Sequence, residues 1–247
     1  MSEPTRLLLL GGTTESLALA ECLATDARFE VITSLAGRTV AHRLPPGTVR
    51  VGGFGGAEGM AAYLKSERIG VVIDATHPFA AKISVNTAAA CDRTGIPRLQ
   101  LLRPAWTPQT GDRWLPVPDI TAAAAALPGL GDTVFLAIGR QELAPFAAVR
   151  GVRFILRMIE LPAEPLPFTD SAVILARGPF RPEDETALFT QHAVKVLVSK
   201  NSGGEATAAK LSAARVLGFP VVMIERPPHP PGPRAATVDE ALTWLQT

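Results

Sequence analysis

Three turns in this sequence have the residue types and spacing to hold an anion or move a proton. The first lies in "LLLLGGTTES", where Leu7–Leu10 run into Gly11, Gly12 and Thr13 ahead of an Ala/Leu-rich segment. A turn that joins a strand to a helix exposes backbone N–H groups at the positive end of the helix dipole, which suits a dinucleotide pyrophosphate. Thr14 and Glu15 open that helix and belong to the same candidate cradle. The spacing is not G-x-G-x-x-G, because Glu15 and Ser16 stand where later glycines would permit close approach. From this turn alone, a phosphate cradle and a plain connection both stay open.

The segment "TSLAGR" ends the next strand with Thr33, Ser34, Gly37 and Arg38, where NAD-binding proteins place an acid for the ribose hydroxyls. No acid is there. Hydroxyls with an arginine suit a 2′-phosphate and favour NADPH over NADH; the alternative is an arginine solvated on a loop. "VGGFGGAEG" offers five glycines, Gly53 among them, for a tight turn or for contact with a flat ligand beside the adenosine half.

The second turn, "VVIDATHPFA", puts Asp74, Ala75, Thr76 and His77 at the carboxyl end of a strand, the edge at which open α/β sheets bind ligands. His77 can donate a proton there, or merely hold Pro78 and Phe79, while Asp74 and Thr76 can equally bond loop backbone. The third, "LVSKNSGGEA", sets Lys200, Asn201 and Ser202 before Gly203 and Gly204, with a helix expected from Glu205. Charge, a hydroxyl, glycine amides and a helix dipole make it the stronger anion cradle. It fits a substrate carboxylate or a nicotinamide carboxamide, with a structural turn as the alternative. "AIGR" ends another strand with Gly139 and Arg140, facing an inter-domain cleft by the same logic.

Other chemistries fall away. A Tyr-x-x-x-Lys pair is absent, since four residues after the single tyrosine, Tyr63, stands Glu67. His42, His77, His192 and His229 are scattered without cysteine partners at metal spacing, so no metal site is expected. No G-x-S-x-G elbow marks a serine hydrolase.

The elements that must position these turns follow from alternating apolar runs and helical segments, the pattern of a parallel sheet covered on both faces. Strands are expected at 6–10, 30–35, 49–51, 71–74 and 98–101, with helices at 14–25, 57–66 and 80–94. Prolines and Gly111 then break the pattern, so 103–118 reads as a linker between a domain at 1–105 and one at 106–247. Beyond it, strands are expected at 133–138, 154–158, 172–176, 194–199 and 221–225, and helices at 121–127, 141–149, 182–191 and 205–217. "RPPHPPGPR" reads as an extended arm leading to a last helix at 238–245, capped by Thr237. No internal sequence repeat is evident.

Composition agrees with a packed fold: 47% of the 247 residues are hydrophobic and 19% charged. A net charge of +1 gives no global pull toward nucleic acid or an anionic membrane, so neither is expected as a partner. No run reaches the roughly 18 apolar residues of a membrane helix. Leu7–Leu10 is too short for a signal-peptide core, and Cys22 and Cys91 read as small buried hydrophobes; a cytoplasmic protein is expected.

Taken together, "GGTTES", "AGR", "DATHPFA", "GR" and "KNSGG" in this order resemble the precorrin-6A reductase family of cobalamin biosynthesis over nearly the whole chain. The resemblance implies an α/β fold of two Rossmann-like domains, their parallel sheets flanked by helices, with NADPH bound between them. It implies reduction of one macrocycle double bond of precorrin-6A to give precorrin-6B, or the same step on cobalt-precorrin-6A. Another NADPH-dependent reductase and a non-catalytic nucleotide sensor are the competing classes. The tetrapyrrole carboxylates would meet local charge such as Arg140, Arg157, Arg177, Lys200 and Arg234, with Ser202, Gly203 and Gly204 beside them. Lys200 and His77 are the candidate proton donors. A monomer or homodimer is expected, with possible transfer contacts to neighbouring pathway enzymes.

Overall fold

The computed structural model describes residues 3–37, 44–159, 161 and 164–246, and its chain divides into two compact units. One unit comprises Met1–Pro104 with Pro227–Thr247, and the other Ala105–Arg226. The first opens with β1 (Thr5–Leu10), α1 (Thr14–Leu23), β2 (Phe29–Leu35), β3 (Thr48–Val51), α2 (Gly56–Ser66), β4 (Val71–Asp74), α3 (Ala81–Thr94) and β5 (Arg98–Leu101). The second follows with β6 (Trp114–Val117), α4 (Ile120–Ala125), β7 (Thr133–Ala137), β8 (Arg153–Met158), β9 (Ser171–Leu175), α5 (Pro182–Gln191), β10 (Val196–Lys200), α6 (Ala209–Leu217) and β11 (Val221–Ile224). The chain then returns β12 (Arg234–Ala235) and α7 (Val238–Trp244) to the first unit.

Every strand pair is parallel. The sheets run β12-β5-β4-β1-β2-β3 and β6-β11-β10-β7-β8-β9. Counted from β1 and from β7, both have the order of a mononucleotide-binding fold, with one added strand beside the fifth. The topology therefore repeats although the sequence does not.

A central parallel strand is buried on both faces, so it reads as a continuous apolar run. In β1, Leu7 and Leu9 pack on α1 and α7 through Leu19, Leu23 and Ala241, while Leu8 and Leu10 pack on α2 and α3 through Met60, Leu64 and Ala90. In the second unit Phe135, Leu197 and Met223 pack against Phe189 of α5 and Leu211 of α6. No helix of the described residues is long and apolar enough to cross a membrane.

Five expectations are corrected. The second domain does not run to residue 247, because β12 hydrogen-bonds alongside β5 and α7 closes the α1 face of the first sheet. The linker at 103–118 contains β6; an edge strand tolerates a proline such as Pro116, since one side of its backbone needs no ladder partner. The helix at 141–149 is two short 3-10 turns, Arg140–Glu142 and Ala144–Ala148, because Pro145 cannot donate to a carbonyl four residues back. The helix from Glu205 is a 3-10 turn, Glu205–Thr207, followed by α6. Cys22 is also exposed on α1, whereas Cys91 is buried and its thiol is pushed up to about 11, chiefly by desolvation.

The return of the chain predicts the outcome of truncation. A chain ending at Arg226 should lose amide protection in β5 and α1, which β12 and α7 cover, while β7 and β10 keep theirs in hydrogen exchange. Loss confined to β10 and β11 would instead support a domain spanning 106–247.

Candidate functional site

Successive connections in the first sheet leave in opposite directions: β1 continues into α1 on one face and β4 into α3 on the other. Such a reversal leaves a crevice at the carboxyl ends of the two strands, where ligands of open α/β sheets bind. The loops after β1 and β4 flank it and are tied together. The amide of Ala75 donates to the Leu10 carbonyl at 3.0 Å, and Thr13 Oγ1 donates to the Ala75 carbonyl at 2.8 Å.

Ser16 organises the turn. Only 3% exposed, its Oγ accepts the amides of Gly12 and Thr13, both at 3.0 Å, and donates to the Thr13 carbonyl at 2.8 Å. Its own amide donates to Thr13 Oγ1 at 3.1 Å, closing a capping box. Gly12 has φ 111°, open to glycine alone, and a Cβ on Gly11 would meet Ser16 Oγ and Thr33 Cγ2 at 3.2 Å. The glycine amides are thus consumed internally. The amides without a partner among the described residues are those of Thr14 and Glu15, the first of α1, and these are the donors an anion would meet. Glu15 would repel that anion, but Arg103 Nη1 holds its carboxylate at 2.8 Å.

At the β2 edge Ser34 is buried and its Oγ accepts Arg50 Nη1 at 2.7 Å. Arg50 also donates to the carbonyls of Gly52 (3.1 Å) and Gly53 (3.0 Å), and its guanidinium lies 3.8 Å over Phe54 and 5.0 Å from Tyr63. Burial, and then the Glu67 charge, hold the Tyr63 phenol above its ordinary value against the pull of Arg50 and Arg6. Gly37 follows β2 with φ 70°; Arg38 and His42 lie outside the described residues. Asp74 is buried and its Oδ1 accepts Thr76 Oγ1 at 2.6 Å and the Thr76 amide at 3.2 Å, fixing the turn after β4. His77 is exposed and its Nδ1 accepts the Phe79 amide at 3.2 Å, so the neutral ring carries its proton on Nε2.

The second unit repeats the reversal: β7 leads to Phe146, which meets Phe154 edge to face, and β10 leads to α6 on the opposite face with Phe135. Gly139 and the exposed Arg140 follow β7, and Glu142 Oε2 accepts the Gly139 amide at 3.1 Å. The same carboxylate forms an ion pair with Lys200. Asn201 clasps Trp106, its Oδ1 accepting the Trp106 amide at 2.8 Å and its Nδ2 donating to the Trp106 carbonyl at 3.0 Å. Trp106 Nε1 donates to the Gly204 carbonyl at 3.0 Å, and the buried Lys210 ammonium lies 4.6 Å from the Trp106 ring. Ser202 is buried, and Gly203 and Gly204 take φ 66° and 82°. Arg157 is locked to the buried Glu185 at 2.5 Å and stacks 3.8 Å over Phe180; Arg177 is exposed, and Arg234 donates to the carbonyls of His229 and Pro230.

The candidates therefore gather as two sets, Gly11–Glu15, Ser34, Gly53 and Asp74–His77 on the rim of the first sheet, and Gly139, Arg140 and Lys200–Gly204 on that of the second. Sequence reasoning missed Ser16, Arg50, Arg103, Trp106 and Glu142. Arg50 had a visible signal, as the one basic residue of "TVRVGG" ahead of the glycine loop.

The family described as Precorrin-6x reductase CbiJ/CobK matches residues 6–246. The chain belongs to that family. A precorrin-6A reductase of Rhodococcus erythropolis is 49% identical over 246 residues, covering 98% of both chains. A solved structure named CobK precorrin-6A reductase has a TM-score of 0.92 and 48% identity, covering 98% of this chain and 96% of that one. A cobalt-precorrin-6A reductase of Priestia megaterium is 29% identical over 250 residues, covering 97% of both chains. The protein is thus a reductase with two Rossmann-like units.

The Ser16 hydroxyl in this reductase satisfies two amides and one carbonyl of a part-buried turn. Ser16→Ala should cost about 1–3 kcal/mol of stability, the usual penalty for orphaned donors and acceptors. Denaturant unfolding checks it; an unchanged midpoint would mean that the turn stands without the hydroxyl.

Proposed function

We propose that the protein reduces one macrocycle double bond of precorrin-6A with NADPH, giving precorrin-6B, in the cytoplasm. The carrying observation is its likeness along the whole chain to reductases named for precorrin-6A, which exceeds its likeness to the cobalt-named relative.

The residues present fit a phosphorylated dinucleotide. Among the described residues the Thr14 and Glu15 amides at the helix start have no partner, Gly12 has no side chain to obstruct them, and β2 carries Ser34, next to its last residue, rather than an acid. When bound, the nucleotide supplies the hydride, and the protein's part is to bind, orient and protonate. In this reading the Thr14 and Glu15 amides hold the pyrophosphate, and Arg103 neutralises the Glu15 carboxylate beside it. The Asp74–Thr76 turn and Gly53 shape the walls. Arg140, Lys200, Ser202 and the Gly203–Gly204 amides meet acetate and propionate carboxylates of the substrate.

A reduced double bond also needs a proton on the carbon next to the one that takes the hydride. Lys200 is the stronger donor candidate, because its ammonium is largely buried and steadied by Glu142. His77 is exposed and spends Nδ1 on the Phe79 amide.

The test is an anaerobic assay with enzymatically prepared precorrin-6A, following nucleotide oxidation and product mass together. The reading predicts a gain of two hydrogens, with NADPH preferred over NADH. No turnover, or turnover of cobalt-precorrin-6A alone, would overturn it. In the same assay Lys200→Ala should lower kcat by about 100-fold or more, within the usual range for a general acid, and His77→Ala by less. Full turnover by both variants at saturating substrate would leave proton delivery to solvent or to the substrate's own carboxylates.

A further inference from the structure

We infer that Arg50 reads the 2′-phosphate of the nucleotide and sets its preference for NADPH over NADH; this rests on the nucleotide reading above. The register carries Arg50 to that place. Arg50, Ser34, Leu10, Asp74, Gln100 and Arg234 are successive cross-strand partners over all six strands of the first sheet. Partners in a parallel ladder face the same way, so the row presents Arg50 and Ser34 together at the carboxyl rim, on the β2–β3 side of the crevice. Dinucleotide folds place the adenosine ribose on that side.

Among the described residues the charge at Arg50 has no counter-ion: no carboxylate pairs with it, whereas Arg6, Arg28, Arg103, Arg157 and Arg215 each meet one. Its guanidinium is nevertheless fixed, stacked 3.8 Å over Phe54 and bonded to Ser34 Oγ and to the Gly52 and Gly53 carbonyls. Those three bonds leave further N–H donors of the five on a guanidinium. A half-buried, immobilised guanidinium with spare donors beside a serine hydroxyl matches a phosphate monoester, which accepts a bidentate fork. Its stacking face costs the binding event little side-chain entropy, because the rotamer is already held. A purely structural role, clasping the glycine loop to β2, predicts something different: loss with either nucleotide alike.

The experiment uses the full chain with Arg50→Gln and Arg50→Lys. Two readouts are needed: kcat/KM for precorrin-6A reduction with NADPH and with NADH, and calorimetric binding of adenosine 2′-monophosphate and adenosine 5′-monophosphate. For Arg50→Gln, kcat/KM with NADPH should fall roughly 10- to 100-fold through KM, the scale of one charge-assisted contact, without a matching fall with NADH. Affinity for the 2′-monophosphate should fall by a similar factor and that for the 5′-monophosphate should not. Arg50→Lys, which keeps the charge but not the fork, should lie between. Equal losses with both nucleotides, or no loss with NADPH, would overturn the inference. A wild-type protein that does not distinguish the two monophosphates would overturn it as well. A wild-type protein that distinguishes them yet leaves precorrin-6A unchanged would sink the substrate reading while the binding arm still decides Arg50.

Discussion

The structure depends on one constraint of parallel sheets: where successive crossovers leave to opposite faces, neither helix layer can cover the rim between the two strands. That happens once in each unit, between β1 and β4 and between β7 and β10. The turns after β1, β4, β7 and β10, which carry most of the candidate residues, lie at these two places. The buried leucines of β1 and the apolar residues of β7 and β10 hold the strand ends in register, and the polar residues that follow stand on a rigid support.

At both rims, backbone polarity is handled by a few side chains. Ser16 takes the amides a glycine turn would otherwise expose, which leaves those of Thr14 and Glu15 as the ones an anion would meet. Asp74 does the like for the turn after β4, and Asn201 for the segment that begins with Trp106. The units also share a charge device. Glu15 and Glu142 stand five residues beyond the ends of β1 and β7, and each is held by a cation, Arg103 or Lys200. A carboxylate would repel an anion bound at either rim unless neutralised, and those cations supply the neutralising charge.

The sequence made much of this legible, for definite reasons. Runs such as Leu7–Leu10 and Val71–Asp74, bounded by turn residues, read as buried parallel strands, and a glycine or Asx turn after each marks a carboxyl rim. What could not be read depended on pairing across long separations. β12 is two residues long and has no pattern of its own; it is a strand because Arg234 and Ala235 lie beside Gln100 and Leu101. β6 hides among prolines, and only its place at the edge of the second sheet makes Pro116 acceptable. Arg50 was passed over because its relation to Ser34 is one of register between β2 and β3. The clasp of Asn201 on Trp106 was hidden likewise, since the two residues stand 95 apart along the chain.

The central claim, that the nucleotide is held by the first amides of α1 beside the β1–β4 reversal, is tested most directly by residue-resolved amide exchange with and without NADPH. The account predicts slowed exchange at Thr14 and Glu15 and in the loop from Gly52 to Gly55, with Gly203 and Gly204 unaffected by nucleotide alone. Unchanged exchange at Thr14 and Glu15 under saturating NADPH, with slowing confined to Gly203 and Gly204, would contradict it.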